Sequence, residues 1–291
     1  VTVCTYNART LASDSSIEDL LMQARMIRYD FIGLAETRRR HPFNAVYDTG
    51  EELLLGTCDN RSVGGVGVLV NTSLSMNIDS FEQLTTRIGR LRLKRCGSTP
   101  ALTIFVVYAP TSNYDEEEVE AFYMNLERFY REGHTFFKVI TGGFSAMIGP
   151  RRSYEKRHIR THGLEWNEQG ERLSEFIMAN KTSHGNSQFQ KPHRQRWTWE
   201  SRNGEYHNEI DHIIVNRKFC LTDVAVVPKF YAGSDHRFLR ARFYFSQKRE
   251  KAAKFKNRSP KATTSWDLFN SLGGSWEGAV VGNIDEEYDR L

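Results

Sequence analysis

Hydrophobic and polar positions near the start of the chain follow two periods. Residues 1–6 form a short β-branched run; residues 17–29 set Ile17, Leu20, Leu21, Ala24 and Ile27 at helical spacing; residues 30–35 return to an apolar run. This order predicts a strand, a helix and a second strand. A crossover of this length makes the two strands parallel, which brings Asn7 and Glu36, at their C-terminal ends, to one sheet edge. Ligands of open α/β sheets gather at such edges. Taken singly, Asn7 is as well explained as a turn former, and Glu36 of Glu36-Thr37-Arg38 as a surface charge.

The pattern continues in alternation. Gly64-Gly65-Val66-Gly67 lacks a Lys-Ser/Thr ending, so it is no phosphate-binding loop but the start of a closely packed strand. Residues 90–94 alternate apolar and basic positions, and residues 102–108 form a continuous apolar strand ending at Tyr108-Ala109-Pro110. Residues 116–130 read as a helix, acidic first and basic last, as the helix dipole favours. A strand over 136–141 runs into Gly142-Gly143-Phe144-Ser145-Ala146, and a helix over 167–179 buries Leu173, Phe176 and Ile177. Asp211 interrupts the apolar run ending at Val215, so a partly buried carboxylate there needs a partner, which a neighbouring histidine supplies. Gly233 permits a turn that leaves Asp235 and His236 at a loop tip before Leu239, Ala241, Phe243 and Phe245. A carboxylate and an imidazole exposed together suit metal and phosphate chemistry; the plainer alternative is a strand-end acid and a satisfied surface histidine.

Composition changes this picture little. A chain of 291 residues, 39% hydrophobic and 26% charged, holds one large α/β domain or two modest ones. No apolar run approaches the ~18 residues of a membrane span, and the strand-like opening at Val1 carries no secretion signal, so neither membrane nor export is expected. Cys4, Cys58, Cys96 and Cys220 fit no zinc spacing and read as reduced core thiols of an intracellular protein. The net charge of +4 leans mildly toward polyanions. Charge is concentrated, however. Arg151, Arg152, Lys156, Arg157 and Arg160 crowd one loop, while Lys191, His193, Arg194 and Arg196 precede Trp197-Thr198-Trp199. These suit phosphates and stacked or wedged bases; a solvated loop and core tryptophans are the alternative, since residues 197–200 also read as a strand. Residues 246–264 form a basic linker, and residues 265–291 open with a short helix as the start of a further segment.

One ordered series then stands out: Thr5-Tyr6-Asn7, Ala35-Glu36-Thr37, Val107-Tyr108-Ala109-Pro110, Ile210-Asp211-His212-Ile213 and Ser234-Asp235-His236. It resembles the endonuclease/exonuclease/phosphatase superfamily. Within it, Asn7-Ala8-Arg9-Thr10-Leu11 and Trp166-Asn167-Glu168-Gln169-Gly170-Glu171-Arg172-Leu173 resemble the apurinic-type endonuclease domain of RTE-clade non-LTR retrotransposons, over residues 1–245. The resemblance implies a DNase I-like α/β (α+β in some schemes) four-layer sandwich, with two mixed sheets face to face and helices outside. It implies Mg2+, or Mn2+, held by Glu36 with Asn7 and Asp235, a His236 imidazole held by Asp211, and a phenolic hydrogen bond from Tyr108. DNA is the implied partner, with Arg9, Arg151, Arg152, Arg157, Arg194, Arg196 and Trp197 as its contacts. In the full element a reverse transcriptase segment follows, and the implied location is nuclear.

One motif departs from the family. Where the family reads Gly-Asp-Phe-Asn-Ala, this chain has Gly142-Gly143-Phe144-Ser145-Ala146. The aspartate that positions or deprotonates water is Gly143, and the asparagine that contacts phosphate is Ser145. Glycine accepts no proton and serine reaches less far. The expectation is a DNA endonuclease that nicks its target and is impaired in this copy. The alternatives are an inactive nucleic-acid-binding protein, a decayed transposon copy and, more remotely, a lipid or inositol phosphatase.

Overall fold

A computed structural model gives the fold and describes residues 1–245 apart from 10, 112, 155, 228, 229, 231 and 232. The expected basic linker and the segment after it lie outside the described residues, as does Thr10. In chain order the elements are β1 (Thr2–Asn7), α1 (Asp14–Arg25), β2 (Phe31–Ala35), β3 (Phe43–Val46), β4 (Glu52–Leu55), β5 (Val66–Val70), α2 (Thr72–Ser75), β6 (Ile78–Thr85), β7 (Ile88–Leu93) and β8 (Leu102–Tyr108). Next come α3 (Glu116–Glu132), β9 (Phe137–Gly143), α4 (Glu168–Ala179), β10 (Ser183–His184), β11 (Trp199–Glu200), β12 (His207–Asn208), β13 (Asp211–Val215), β14 (Leu221–Val226) and β15 (Leu239–Phe243).

These strands make a seven-stranded sheet ordered β14-β15-β1-β2-β5-β4-β3, a six-stranded sheet ordered β10-β13-β9-β8-β7-β6, and a two-stranded β11-β12 ribbon. Each large sheet holds one parallel pair among antiparallel ones: β1 with β2, and β8 with β9. The first is the expected crossover unit, and its register sets Asn7 opposite Ala35, one residue before Glu36.

Side-chain alternation then dictates four layers. Val3, Phe31, Val68, Ile104, Val106, Val139 and Ile213 fill the space between the two sheets. On the outer face of the first sheet, Ile17, Leu20, Leu21 and Ala24 of α1 cover Ile32, Leu34 and Leu69. On the outer face of the second, Phe122, Leu126 and Phe129 of α3 and Leu173 and Ile177 of α4 cover Phe105, Val107 and Ile140. Each such side chain contributes roughly 1.5–3 kcal/mol through burial. The result is an α/β sandwich of two mixed sheets with helices outside. Among the described residues no helix is long and apolar enough to cross a membrane. None of the four cysteines forms a disulfide, but only Cys4 is buried; Cys96 is exposed, which corrects the expectation of four core thiols.

Capping moves one boundary away from the sequence reading. α1 begins at Asp14 because the Ser13 hydroxyl accepts from Ser16 N, and it ends at Arg25, so its polar first turn lies outside the apolar stripe. Close approach moves another. β9 extends past its apolar stretch to Gly143, since a Cβ at Gly142 would stand 1.9 Å from the Val107 carbonyl oxygen.

The loop after β9 is tied down twice. Asn167 caps α4 and with the same side chain accepts from Met147 N at 2.8 Å and donates to the Ser145 carbonyl at 3.1 Å. His212, wholly buried on β13, lies 2.6 Å from the Ala146 carbonyl through Nε2 and 2.9 Å from His184 Nε2 through Nδ1. A carbonyl only accepts, so His212 carries its proton on Nε2, and His184 donates to its bare Nδ1. Both rings are neutral in this arrangement. Burial pulls the His212 pKa down to about 4 and that of His184 well below its ordinary value. The unfolded imidazoles titrate near 6.5, so the stability this pair confers is full above that pH and is lost as pH falls through the window below it. Urea unfolding from pH 7.5 to 5 should show the contribution of this pair level down to about pH 6.5 and then falling by about 1.4 kcal/mol per pH unit for each neutral ring. His184→Gln should make that slope shallower; a slope unchanged in the variant would refute the assignment.

Candidate active site

Side chains from both sheets meet at one end of the sandwich. Asn7 closes β1, Glu36 follows β2, Asp211 opens β13, and His236 lies on the loop before β15. His236 Nδ1 donates to Asp211 Oδ2 at 2.8 Å, and its Nε2 lies 3.3 Å from Asn7 Nδ2. Asn7 Nδ2 in turn donates to Glu36 Oε2 at 3.0 Å. Asn7, Glu36 and Asp211 are buried and His236 nearly so. Backbone bonds hold the loop in place: Ser234 Oγ donates to the Asn7 carbonyl at 2.7 Å and accepts from His236 N at 3.0 Å. From the other side, Thr198 Oγ1 accepts from the backbone N–H groups of Ile210 and Asp211, each at 3.0 Å.

The charge at this point is mixed. Burial works against the His236 imidazolium, yet the charge and hydrogen bond of Asp211, with Asp235 and Glu36 adding to them, hold its pKa above the usual histidine value. Tyr108 closes β8 beside Glu36; burial and then the Glu36 charge push its phenol up, so it remains a hydroxyl donor. The Arg87 guanidinium lies over the Tyr108 ring at 5.5 Å. Arg38 pairs with Glu36, and Arg9 lies 3.4 Å from Asp235. Arg9, Glu36, Arg38 and Ser145 all have left-handed backbones, with φ between 52° and 58°. Such strained residues persist where surrounding structure over-determines them, and they cluster at functional sites.

Gly143 lies directly opposite Asp211 in the β9–β13 ladder. A Cβ there would stand 3.2 Å from Asp211 Oδ1 and 3.8 Å from Tyr108 Cδ2, so a side chain at this position points at the cluster. Oδ1 of Asp211 is buried and has no hydrogen-bond partner among the described residues.

The residues expected to contact nucleic acid fare unevenly. Arg157 and Arg194 are exposed. Arg152 pairs with Glu171 at 3.5 Å and lies over the Trp166 ring, and Arg151 is half-buried. Trp197 is half-buried, with the Arg237 guanidinium 3.8 Å above its ring and His207 against it. Arg196 is a correction. It is 6% exposed, paired to buried Glu209 through two nitrogens, and bonded to the carbonyls of Phe189 and His162. A guanidinium so enclosed holds the fold and cannot reach a phosphate; removing either partner would leave an uncompensated buried charge. Sequence reasoning missed Arg38, Arg87 and Thr198 as parts of the site or its supports, and it gave no role to Ser234 and Asn167 although both stand within the motifs quoted for the resemblance; Asn167 also carried a signal as an N-cap residue ahead of the α4 stripe.

No model of a known protein family matches the chain. Craniofacial development protein 2 of Bos taurus is 27% identical over 244 residues, which cover 82% of this chain and 40% of that protein. The chain thus spans about two fifths of the relative's length. The AP endonuclease LMAP of Leishmania major superposes with a TM-score of 0.64 at 12% identity, over 84% of this chain and 87% of that one. The endonuclease domain of TRAS1, a telomere-specific non-LTR retrotransposon, superposes with a TM-score of 0.57 at 12% identity, over 84% and 98%. The 3′ phosphatase NExo from Neisseria, bound to product DNA hairpin, gives 0.59 at 16% identity, over 84% and 99%. Four layers, two mixed sheets and these likenesses agree: the chain has the fold of the endonuclease/exonuclease/phosphatase superfamily.

Proposed function

We propose that this chain is a metal-dependent phosphodiesterase of the DNA-endonuclease type, derived from a non-LTR retrotransposon and impaired by Gly143 and Ser145. One observation carries the reading: Asn7, Glu36, Asp211 and His236, far apart in sequence, form one hydrogen-bonded chain at the strand ends, with Gly143 facing it. DNA is the substrate class that the retrotransposon endonuclease and the DNA-bound phosphatase favour. A nuclear location and a following reverse transcriptase segment belong to the same reading.

The donors suit a hard divalent cation held sparsely. Glu36 is a buried carboxylate at the site, Asn7 is its amide neighbour, and Asp235 is half-exposed nearby. Among the described residues no group of three His, Cys, Asp or Glu side chains is placed to hold a metal. Mg2+ is content with one or two protein carboxylates, so Glu36 would be its main ligand, with Asn7 and Asp235 beside it. When bound, such an ion neutralises phosphate charge and acidifies its water. The chain's own residues supply the rest. His236, oriented by Asp211 and with its pKa raised by that partner, would take a proton on Nε2 and turn it from Asn7 to a phosphate oxygen; Tyr108 would donate a hydroxyl; and Arg9, Arg157 and Arg194 would attract the DNA backbone.

What this set lacks is a proton acceptor at position 143. A positioned general base is worth about 10²–10⁴ in rate, and one electrostatic donor about 10²–10³. The same loss favours a second reading, a DNA-binding protein without cleavage, whose affinity falls with salt while no nick forms.

Gly143→Asp together with Ser145→Asn should raise Mg2+-dependent nicking of supercoiled plasmid by about 10² or more, and adding Glu36→Ala should abolish the gain. A double variant no faster than the native chain would sink the account of impairment. Efficient nicking by the native chain would do the same. Ser145 has a left-handed backbone at φ 52°, a conformation that asparagine tolerates better than serine. Ser145→Asn alone should therefore raise stability by roughly 0.5 kcal/mol, ~1–2 °C in Tm. Calorimetry showing a lower Tm would mean that the loop does not hold that conformation.

A further inference from the structure

Glu36, the carboxylate on which the proposed function places its metal, already has a cation. Arg38 donates from Nη2 to Glu36 Oε1, while Asn7 occupies Oε2 at 3.0 Å. The pairing is built into the backbone. Glu36 and Arg38 have left-handed φ angles of 58° and 53° on either side of Thr37, and their side chains meet two residues apart. The segment is pinned by N–H bonds from Thr37 to the Gly65 carbonyl and from Arg38 to the Gly64 carbonyl, each at 3.1 Å. Gly64 and Gly65 are themselves left-handed, at φ 80° and 82°. The carboxylate is 11% exposed and the guanidinium 43%, so Arg38 covers Glu36 from the solvent side.

We propose, resting on the reading of Glu36 as the metal ligand, that Arg38 is the resident counter-ion of Glu36 and that a divalent cation binds only by displacing it. Two cations cannot share one buried carboxylate without repulsion. The displaced guanidinium, with its planar fork of donors, is matched to the next anion to arrive, a substrate phosphate. Arg38 is thus a positioning residue. It keeps Glu36 neutralised without metal, lowers the affinity for free metal, and supplies a phosphate contact once metal is bound.

The test reads metal binding rather than turnover. Mn2+ is titrated into the full chain without DNA, and the loss of the free-ion paramagnetic resonance signal is followed. Arg38→Gln and Arg38→Gly, the second also relieving the left-handed backbone, should bind Mn2+ about fivefold or more tightly than the native chain. Arg38→Lys should stay near native, and Glu36→Gln in the Arg38→Gln background should abolish the site. Equal affinity in Arg38→Gln and the native chain, with Glu36 still required, would overturn the counter-ion role and leave the metal reading standing. Binding indifferent to Glu36, or none in Arg38→Gln, would overturn both. Melting curves for each variant establish that the fold is retained.

Discussion

The hydrogen bond between Asp211 and His236 joins the two sheets where their strands end. Asp211 belongs to β13 of the six-stranded sheet, and His236 to the loop leading into β15 of the seven-stranded one. A buried carboxylate needs such a partner, because leaving it unpaired costs several kcal/mol. The imidazole reaches it only if β15 lies beside β1 and β13 beside β9. The sheet order, the loop pinned by Ser234 and the threonine beneath Asp211 all serve that one contact. From it the other groups take their places, Asn7 against the far ring nitrogen and Glu36 against Asn7.

The altered loop is instructive because its scaffold stands while its chemistry is changed. Ser145 keeps a left-handed backbone that suits asparagine better, and the loop is still held by Asn167 and by the buried histidine pair through Ala146. Gly143 still faces Asp211 across the ladder, so a side chain there would point at the cluster. On the proposed reading, a proton acceptor and an amide are missing from positions whose supporting architecture is in place. Backbone geometry is secured by many small contacts, whereas a proton acceptor rests on a single side chain.

Arginines around the site divide by burial. Arg196 is enclosed with Glu209 and carbonyl groups and holds the fold, while Arg9 and Arg38 are partly exposed and paired to Asp235 and Glu36. Arg87, lying over both Tyr108 and Tyr114, supports the phenol from behind. Charge at this end is thus largely compensated within the protein, so the proposed binding of a polyanion would mean exchanging partners rather than filling bare positive surface.

The linear chain by itself determined the period of each long element, the parallel pairing of β1 and β2, and the placing of Asn7 and Glu36 at one edge, because these follow from local alternation and chain connectivity. Ordered short motifs also announced Tyr108, Asp211 and His236. Only the tertiary structure decided the rest. The edge strands β3 and β6 carry too little apolar signal to be read. The Ser13 cap, not the apolar stripe, sets where α1 begins. Arg196 looked like a phosphate contact until burial gave it Glu209, and Arg38 carried no reading at all until two left-handed residues laid it on Glu36. In each case the deciding quantity, burial or a backbone angle imposed by distant packing, is a property of the assembled layers and has no counterpart in the order of residues.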